Sequence, residues 1–350
     1  DFNKHCEFFD FLVFDEAHYL KNNEANRSVA MLGREANGEK CLTQYAVHSW
    51  HVTGTPMADN PMDIYTFLRF VKAVDLSVSD FTKIFFNSRK RTFGTKYEVR
   101  PEMIGTLQEL IQNNSLRRTF KDVGLSTPGV WMQEVLVDGD TEEIMALIRD
   151  YPGLEQSIID AIEQGGLSFL DAQHIATLRR LVGKAKMLPY AQMLKWEMES
   201  GSEKRVIFGL HTEALEYLHA YMNKYGFNFV IANGNVNERD RQEAVHRFMN
   251  YPTCMGFIGH IKVAGVGLTL TESAEIDMFE SDWSPAGNAQ AIKRLDRIGQ
   301  TRKVRARFIT LSKSIDEAVN RIVAEKTAAI AQIEGGSMTA TPLDNANYRR

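Results

Sequence analysis

Apolar and polar residues alternate with different periods in different parts of the chain. Between residues 201 and 333, short apolar runs that predict strands are separated by stretches with the helical period. The predicted strands are Val206–Leu210, Phe229–Ala232, Met255–Ile258, Asp277–Glu280 and Val304–Leu311. The predicted helices include Glu238–Asn250, Ala286–Ile298 and Ser314–Ile333. Strands that alternate with helices of ordinary length indicate a doubly wound parallel sheet with right-handed crossovers.

The first 140 residues carry similar signals with more interruptions. Phe11–Phe14 is a continuous apolar run, which is typical of a parallel strand buried on both faces. His48–Thr53 predicts a second strand, and Asn60–Pro61 begins a helix that should pack on the sheet. Residues 76–119 have a helical but poorly periodic pattern. Trp131–Val137 predicts the strand that closes this first lobe.

The remaining segments predict how the lobes are joined. Residues 141–200 are almost entirely helix-forming, with a break at Gly165–Gly166, and predict a helical connector. Residues 334–350 are rich in glycine and polar residues, which is typical of a disordered tail. The predicted organisation is therefore a first lobe at 1–140, a connector at 141–200, a second lobe at 201–333 and the tail.

Composition narrows the class of protein. With 44% hydrophobic and 25% charged residues, the chain has the composition of a globular protein, and no apolar run is long enough to span a bilayer. Cys6, Cys41 and Cys254 lie far apart, so neither a zinc site nor a disulfide set is predicted, and a reducing intracellular compartment is expected. The net charge of −4 leaves nucleic-acid binding to local basic clusters.

Two adjacent carboxylates, Asp15 and Glu16, directly follow the first predicted strand. Ligands of open parallel sheets bind at the carboxyl ends of strands. At that place Asp15 fits a magnesium ligand that acts through a water, and Glu16 fits the group that orients or deprotonates an attacking water. An isolated Asp-Glu pair is usually a solvated strand end, whereas the preceding four apolar residues make a site more specific.

A second group of candidate residues lies after the third strand of the second lobe. Gly265 and Gly267 are spaced so that backbone amides can approach a phosphate. Lys262, Thr269 and Thr271 would add side-chain contacts. This segment therefore predicts a phosphate-binding loop.

The segment Gln290–Gln300 contains two arginines, Arg294 and Arg297. On a helix, a spacing of three residues places both guanidinium groups on one face, where they can reach a single polyphosphate. The simpler interpretation is a solvated amphipathic helix. Motifs elsewhere in the chain are needed to choose between a phosphate-binding helix face and a solvated amphipathic helix.

Four signatures follow one another in a fixed order: DEAH at 15–18, TGTP at 53–56, GVGLTLT at 265–271 and QAIKRLDRIGQ at 290–300. This set resembles the helicase-like ATPases of superfamily 2, and among them the Swi/Snf-type DNA translocases. The resemblance implies an α/β fold of two RecA-like lobes, the first incomplete, joined by a helical connector. It also implies ATP and magnesium as cofactors and ATP-driven movement on DNA.

The resemblance also assigns roles to individual residues. The catalytic residues it implies are Asp15, Glu16, Arg294 and Arg297, with Asp15 holding magnesium through water. The residues it places at the nucleotide are His18, Gly265, Gly267, Gln290 and Gln300. The residues it assigns to coupling and nucleic-acid contact are Thr53, Gly54, Thr55, Lys262, Thr269, Thr271 and Trp283. For Trp283, within a segment similar to the family's DPDWNP element, packing is the favoured interpretation.

One expected part of such a motor does not occur in the 350 residues: there is no G-x-x-x-x-G-K-[ST] loop to hold the β- and γ-phosphates. Only fourteen residues precede Asp15, and the first residue is not methionine. We therefore expect the loop to lie upstream in the natural product. The alternatives are a non-catalytic binding protein, or a split motor whose loop is supplied by another polypeptide.

A further alternative is an RNA helicase of the same superfamily, but such proteins typically end this motif in G-R-x-G-R, whereas this chain has Gly299–Gln300. The expected partner is duplex or branched DNA, contacted through its phosphate backbone, in repair, replication or recombination. We expect a monomer without a membrane association. Its expected location is the cytoplasm or nucleoid in a prokaryote or virus, and the nucleus in a eukaryote.

Overall fold

The computed structural model describes residues 8–33, 41–54, 61–91, 94–118, 124, 128–164, 172–262, 267–283, 285–323 and 344–345. The predicted break at Gly165–Gly166 lies outside these residues. The chain forms two compact units. Unit 1 comprises Asp1–Lys90, Thr95–Arg117 and Ile330–Gly336, and unit 2 comprises Arg91–Gly94, Arg118–Ala329 and Ser337–Arg350.

In the first part of the chain, the described residues form two small sheets and four α-helices. The strands are β1 (Phe9–Phe14), β2 (Ala46–His51), β3 (Phe86–Arg91) and β4 (Gly94–Val99). The helices are α1 (Asn26–Leu32), α2 (Ile64–Phe70), α3 (Val78–Phe85) and α4 (Ile104–Asn114). β1 pairs in parallel with β2, and β3 pairs with β4.

Helix α2 packs on the first sheet, as its apolar spacing predicted. His51 of β2 stacks on Phe70 with ring centroids 4.2 Å apart and meets Phe67 edge-on at 5.7 Å. The burial predicted for the first strand is wrong, because Phe11 and Val13 are 58% and 55% exposed. Among the described residues β1 has a single neighbouring strand, so much of its apolar surface is left uncovered.

The helical pattern predicted across residues 76–119 is interrupted by the sheet of β3 and β4. Phe81, Phe85 and Phe86 are all buried, and Phe86 contacts Tyr97 of β4 edge-on at 6.1 Å. Bulky aromatic residues favour extended backbone where they can pack across strands. Helix α3 therefore contributes Phe81 and Phe85 to this cluster and ends at Phe85, and β3 begins at Phe86.

Unit 2 is built on one sheet of parallel strands. Its strands are β5 (Val130–Val137), β6 (Arg205–Gly209), β7 (Phe229–Ala232), β8 (Gly256–His260), β9 (Glu275–Met278), β10 (Val304–Leu311) and β11 (Asp344–Asn345). Its helices are α5 (Glu142–Asp150), α6 (Leu154–Gln164), α7 (Ala172–Glu199), α8 (Thr212–Lys224), α9 (Glu238–Asn250) and α10 (Pro285–Ile292), and residues 315–323 are also helical. The strand order is β11-β5-β10-β9-β6-β8-β7, which confirms the predicted α/β class.

The placement of the strand after residue 130 differs from the prediction. Val130–Val137 does not close the first lobe but pairs in parallel with all eight residues of Val304–Leu311 in unit 2. Val135 and Val137 join the apolar cluster that also contains Ile207 and Ile309. This strand therefore lies in unit 2, which includes the residues from Arg118 to Ala329, and the boundary at residue 140 stays a prediction. In the predicted tail, the described residues 344–345 form an edge strand beside β5.

The predicted connector is likewise part of unit 2. Helix α7 packs on the sheet through Tyr190, Ala191 and Leu194, each fully buried. These side chains meet the apolar residues of β6 and of helix α8 in one cluster. Residues 172–199 therefore form a covering layer of the second sheet.

A buried ionic network joins α7 to three strands. Arg307 donates two hydrogen bonds to the carboxylate of Asp277, at 2.7 and 2.6 Å, and two more to Glu197 of α7, at 2.6 and 2.9 Å. Arg205 of β6 bonds Asp277 at 3.3 Å and Glu197 at 3.2 Å. The hydroxyl of Tyr190 donates to Asp277 at 2.7 Å. Arg205 also bonds Glu275 at 2.8 Å, so two arginines meet three carboxylates in this network.

Two opposing effects act on the pKa of Asp277. Burial alone would raise it, but the guanidinium groups of Arg205 and Arg307 lower the pKa from 3.8 to about 2. Asp277 is therefore ionised at neutral pH although it is fully buried. This carboxylate stabilises the folded state above pH 3.8, and the contribution is lost as the pH falls toward 2.

We expect Arg307→Met to destabilise unit 2 by about 3 kcal/mol, because it leaves two carboxylates without their main cation. The matched control is Arg305→Met, since Arg305 lies on the same strand, is 36% exposed and pairs with Glu275 at 2.7 Å. That change should cost less than about 1 kcal/mol. Urea unfolding of both variants measures the difference, and equal losses would contradict the network's role.

His51 makes the stability of unit 1 sensitive to acid. Among the described residues neither buried ring nitrogen has a hydrogen-bond partner, and burial lowers the pKa of His51 from 6.5 to about 4. As pH falls from 6.5 toward 4, the unfolded chain binds a proton at His51 that the folded chain does not bind. The free energy of unfolding therefore decreases by about 1–2 kcal/mol. Relative to wild type, the thermal stability of His51→Phe should rise progressively as pH falls from 6.5 toward 4, whereas above pH 7 the difference between the two proteins should not depend on pH. An unchanged difference at all pH values would refute this.

Candidate functional site

The carboxylate pair lies in a tight turn at the end of β1. The amide of Val52 donates to Phe14 O and that of Ala17 donates to Val52 O, both at 2.9 Å, so the backbone is held on either side of Asp15 and Glu16. Glu16 has φ 49° and ψ 45°, a left-handed conformation that costs a non-glycine residue about 1–2 kcal/mol. Its amide donates to Asp15 Oδ1 at 2.9 Å. Strain of this kind is typical of functional turns.

His18 joins the DEAH segment to the TGTP segment. Its side chain is buried, and Nδ1 lies 3.2 Å from Glu16 Oε2 and 3.1 Å from Thr53 Oγ1. Sequence reasoning assigned His18 and Thr53 to different roles and missed their contact. The contact could have been predicted, because His18 follows β1 and Thr53 follows β2. Two parallel strands that end side by side bring the residues after them to the same edge of the sheet. Gly54 follows with open space beside it, and Thr55 lies outside the described residues.

The two arginines lie beyond the helix that was predicted to carry them. Helix α10 ends at Ile292, and residues 293–299 form turns, so the prediction of one helix face through Ile298 is wrong. The cause is a tertiary hydrogen bond: Arg294 O accepts from Leu270 N at 2.9 Å. Gln300 N then bonds Arg297 O at 2.9 Å, and Gly299 adopts φ 102°.

This arrangement places Arg297 against the predicted phosphate loop. One guanidinium nitrogen lies 3.3 Å from both Leu268 O and Thr269 Oγ1. Gly267, at the described end of the loop, has φ 53° and therefore suits glycine. Gly265 lies outside the described residues. Unit 2 thus brings Arg297 and Thr269 together, which the sequence did not predict.

Other predicted residues lie on the segments that come before and after this loop in the chain. Lys262 is exposed at the end of β8, where its amide donates to His260 Nδ1 at 3.2 Å. Arg294 and Gln290 are half-buried on the segment that follows the loop. Burial lowers the pKa of His260, so this imidazole is favoured in its neutral form.

Gln300 has a different environment from the one predicted. Its side chain is buried, and its amide nitrogen donates to Ser273 O at 2.8 Å and to Thr271 O at 3.1 Å. Its amide oxygen accepts from the backbone of Thr301 and Arg302, both at 3.0 Å. Because both ends of the amide bond the protein backbone, this geometry does not support the predicted nucleotide contact.

Trp283 is also turned inward. It is 7% exposed and packs in an apolar cluster with Val182, Leu311 and Ile315. The guanidinium of Arg179 lies 4.3 Å from the ring centroid and donates to Ser281 O at 3.3 Å. The structure agrees with the packing interpretation, and the contact of Trp283 with nucleic acid stays a prediction.

The donor set around Asp15 can be compared with the needs of magnesium. Among the described residues, no group of three or more histidine, cysteine, aspartate or glutamate side chains is arranged to hold a metal. Magnesium usually keeps several waters and takes one or two carboxylates plus substrate phosphates. An exposed carboxylate such as Asp15 fits that mode.

Within the described part of the chain, no helix is both long and apolar enough to cross a membrane.

Two family models match the chain. Residues 1–146 match the SNF2-related domain, and residues 184–299 match the helicase conserved C-terminal domain. Together with the parallel sheet of unit 2, these matches define the chain as an α/β protein that combines an SNF2-related domain with a helicase C-terminal domain. The chain belongs to the Swi/Snf-type family of helicase superfamily 2.

Individual relatives are similar over most of this chain. The SWI/SNF-related matrix-associated actin-dependent regulator of chromatin subfamily A-like protein 1 of Drosophila melanogaster is 23% identical over 342 residues, which are 93% of this chain and 41% of that protein. The chromodomain-helicase-DNA-binding protein 3 homolog of Caenorhabditis elegans is 25% identical, covering 95% and 20%. The chain thus spans less than half the length of each. A solved structure, the Sulfolobus solfataricus SWI2/SNF2 ATPase C-terminal domain, aligns at 15% identity and a TM-score of 0.41, over 57% of this chain and 86% of that one.

The stacking of Arg179 on Trp283 predicts a measurable change. In protein labelled with 5-fluorotryptophan, Arg179→Ala should increase the solvent isotope shift of the Trp283 fluorine signal, because the covering guanidinium is removed. Arg180→Ala is the control, since Arg180 is exposed on the same helix and pairs only loosely with Glu213 at 3.9 Å. If the signal moves equally little in both variants, Arg179 does not cover the ring.

Proposed function

We propose that this chain carries most of the machinery of a motor that couples ATP hydrolysis to movement on DNA. The observation that best supports the proposal is the buried His18, within hydrogen-bonding distance of both Glu16 and Thr53. A contact of this kind links the residue proposed to act on the attacking water to the segment proposed to sense nucleic acid. A change at one can then alter the position of the other.

The proposed chemistry in unit 1 belongs to the carboxylate pair. Asp15 would hold magnesium through a water, and the ion would neutralise charge on the phosphates. Glu16 would orient the attacking water and accept its proton, a role for which its strained backbone and its contact with His18 hold it in place. Thr53 and Gly54 would transmit the state of this site to the nucleic acid.

The proposed contribution of unit 2 is positive charge. Arg294 and Arg297 would stabilise charge on the transferred phosphoryl group, an effect worth about 10³ to 10⁵ in rate where arginine fingers operate. Gly267, with Gly265 and Gln290, would approach the nucleotide. Lys262, Thr269 and Thr271 would contact phosphates of the DNA backbone.

Contacts of this type bind duplex or branched DNA with little preference for base sequence. The proposed setting is repair, replication or recombination, inside the cell and as a monomer. The second candidate is a non-catalytic binding protein or a split motor.

Hydrolysis of ATP by the complete gene product, with and without duplex DNA, tests the proposal. Glu16→Gln should lower DNA-stimulated turnover by about 100-fold or more while duplex binding is retained, since the water loses its base but the phosphate contacts remain. Glu243→Gln on the exposed surface of α9 is the control and should match wild type. Turnover retained in Glu16→Gln contradicts the assignment, and DNA binding without hydrolysis by wild type favours the second candidate.

A further inference from the structure

One buried amide joins the two segments of unit 2 that carry the proposed phosphate and arginine residues. The amide nitrogen of Gln300 donates to Ser273 O and Thr271 O and lies 3.4 Å from Leu295 O. A glutamine amide has two N–H donors and an oxygen with two lone pairs. The two backbone amides that follow Gln300 in the chain occupy the oxygen. The hydrogen-bonding capacity of this side chain is therefore used entirely within the protein.

Neighbouring contacts connect the same two segments. Leu270 N donates to Arg294 O at 2.9 Å, and Arg297 reaches Leu268 O at 3.3 Å. Arg302 donates to Glu272 O at 2.7 Å. Residues 268–273 are thus connected to residues 294–302 at several points. Arg297 and Arg302 are exposed at the surface, whereas Gln300 is 6% exposed, so its bonds are protected from water.

The turn held by Gln300 is also anchored to the sheet. Ser273 Oγ donates to Lys204 O at 2.6 Å and accepts from Glu275 N at 2.9 Å, which connects the turn to the strands β6 and β9. The next contact along the chain, Arg305 N to Ala274 O at 2.7 Å, begins the pairing of β10 with β9. The side chain of Gln300 therefore lies where both segments enter the sheet.

We propose that Gln300 is a positioning residue that holds Arg297 and the threonine-bearing segment 267–271 in one rigid arrangement. Through it, the nucleotide contact of Arg297 and the nucleic-acid contacts of Thr269 and Thr271 shift together. This role rests on the proposed function of those residues. Gln300 itself touches neither ligand.

The substitution Gln300→Glu separates this role from simple packing, because it keeps the shape of the side chain. When the introduced carboxyl is ionised, it has no donor for the carbonyls of Thr271 and Ser273 and places negative charge against them. When it is protonated, its O–H can donate to one of them. Burial beside carbonyl oxygens raises the pKa of such a group above its ordinary value of about 4.3, so protonation begins at mildly acidic pH.

The test is the pH profile of DNA-stimulated ATP hydrolysis by the complete gene product between about pH 6 and 8.5. Gln300→Glu should be about 10-fold slower than wild type at pH 8 and recover severalfold, relative to wild type, at pH 6. Gln300→Met should be slow at every pH, since it cannot donate. The control Gln192→Glu makes the same chemical change on the exposed face of α7 and should follow the wild-type profile.

Two results would overturn the role of Gln300: a Gln300→Glu profile parallel to wild type, or a wild-type rate in Gln300→Met. Amide hydrogen exchange provides a readout that does not require hydrolysis. Relative to wild type at the same pH, exchange in residues 267–273 should be faster in Gln300→Glu at pH 8 and should approach wild type at pH 6. If wild type hydrolyses no ATP, the proposed motor function fails, while the exchange result still decides whether Gln300 holds the segment. Unchanged amide exchange in both Gln300→Glu and Gln300→Met would refute the proposal that Gln300 holds the segment in place.

Discussion

The interaction on which unit 2 most depends is the buried pairing of Arg205 and Arg307 with Asp277 and Glu197. Charges removed from water are costly unless each has a partner in good geometry, and here Arg307 makes paired hydrogen bonds to both carboxylates. The network connects β6, β9 and β10 with helix α7. It therefore fixes where the helix lies on the sheet, a position that apolar contacts alone specify less uniquely.

In each unit, the candidate residues lie on segments that connect one strand to the next. In unit 1, the residues after β1 and β2 meet through His18 and Thr53. In unit 2, the residues after β8 meet those before β10 through Gln300 and Arg297. In each unit, therefore, a residue with a proposed chemical role is bonded directly to a residue with a proposed nucleic-acid role. Direct bonds of this kind allow a change at the nucleotide to alter the contacts with nucleic acid, as a motor requires.

Local patterns predicted some elements to the residue. The helix Glu238–Asn250 follows Asn237, whose side chain accepts from Asp240 N at 2.9 Å, and the strand Phe229–Ala232 is an apolar run of ordinary length. The errors arose where distant residues decide. The partner of Val130–Val137 lies about 170 residues away, and a hydrogen bond from Leu270 ends α10 early. Likewise, the DEAH and arginine segments could be found from residue type and order, but the roles of His18 and Gln300 depend on contacts between segments.

Triplex displacement by the complete gene product tests most directly whether this chain belongs to a motor that moves on DNA. A labelled third strand is annealed to one end of a duplex, and its release is followed with ATP, without ATP, and in the Glu16→Gln variant. The account predicts that the strand is released only by wild type with ATP, because hydrolysis at Glu16 drives movement along the duplex. ATP hydrolysis by wild type without release of the strand, or release that needs no ATP, would contradict it.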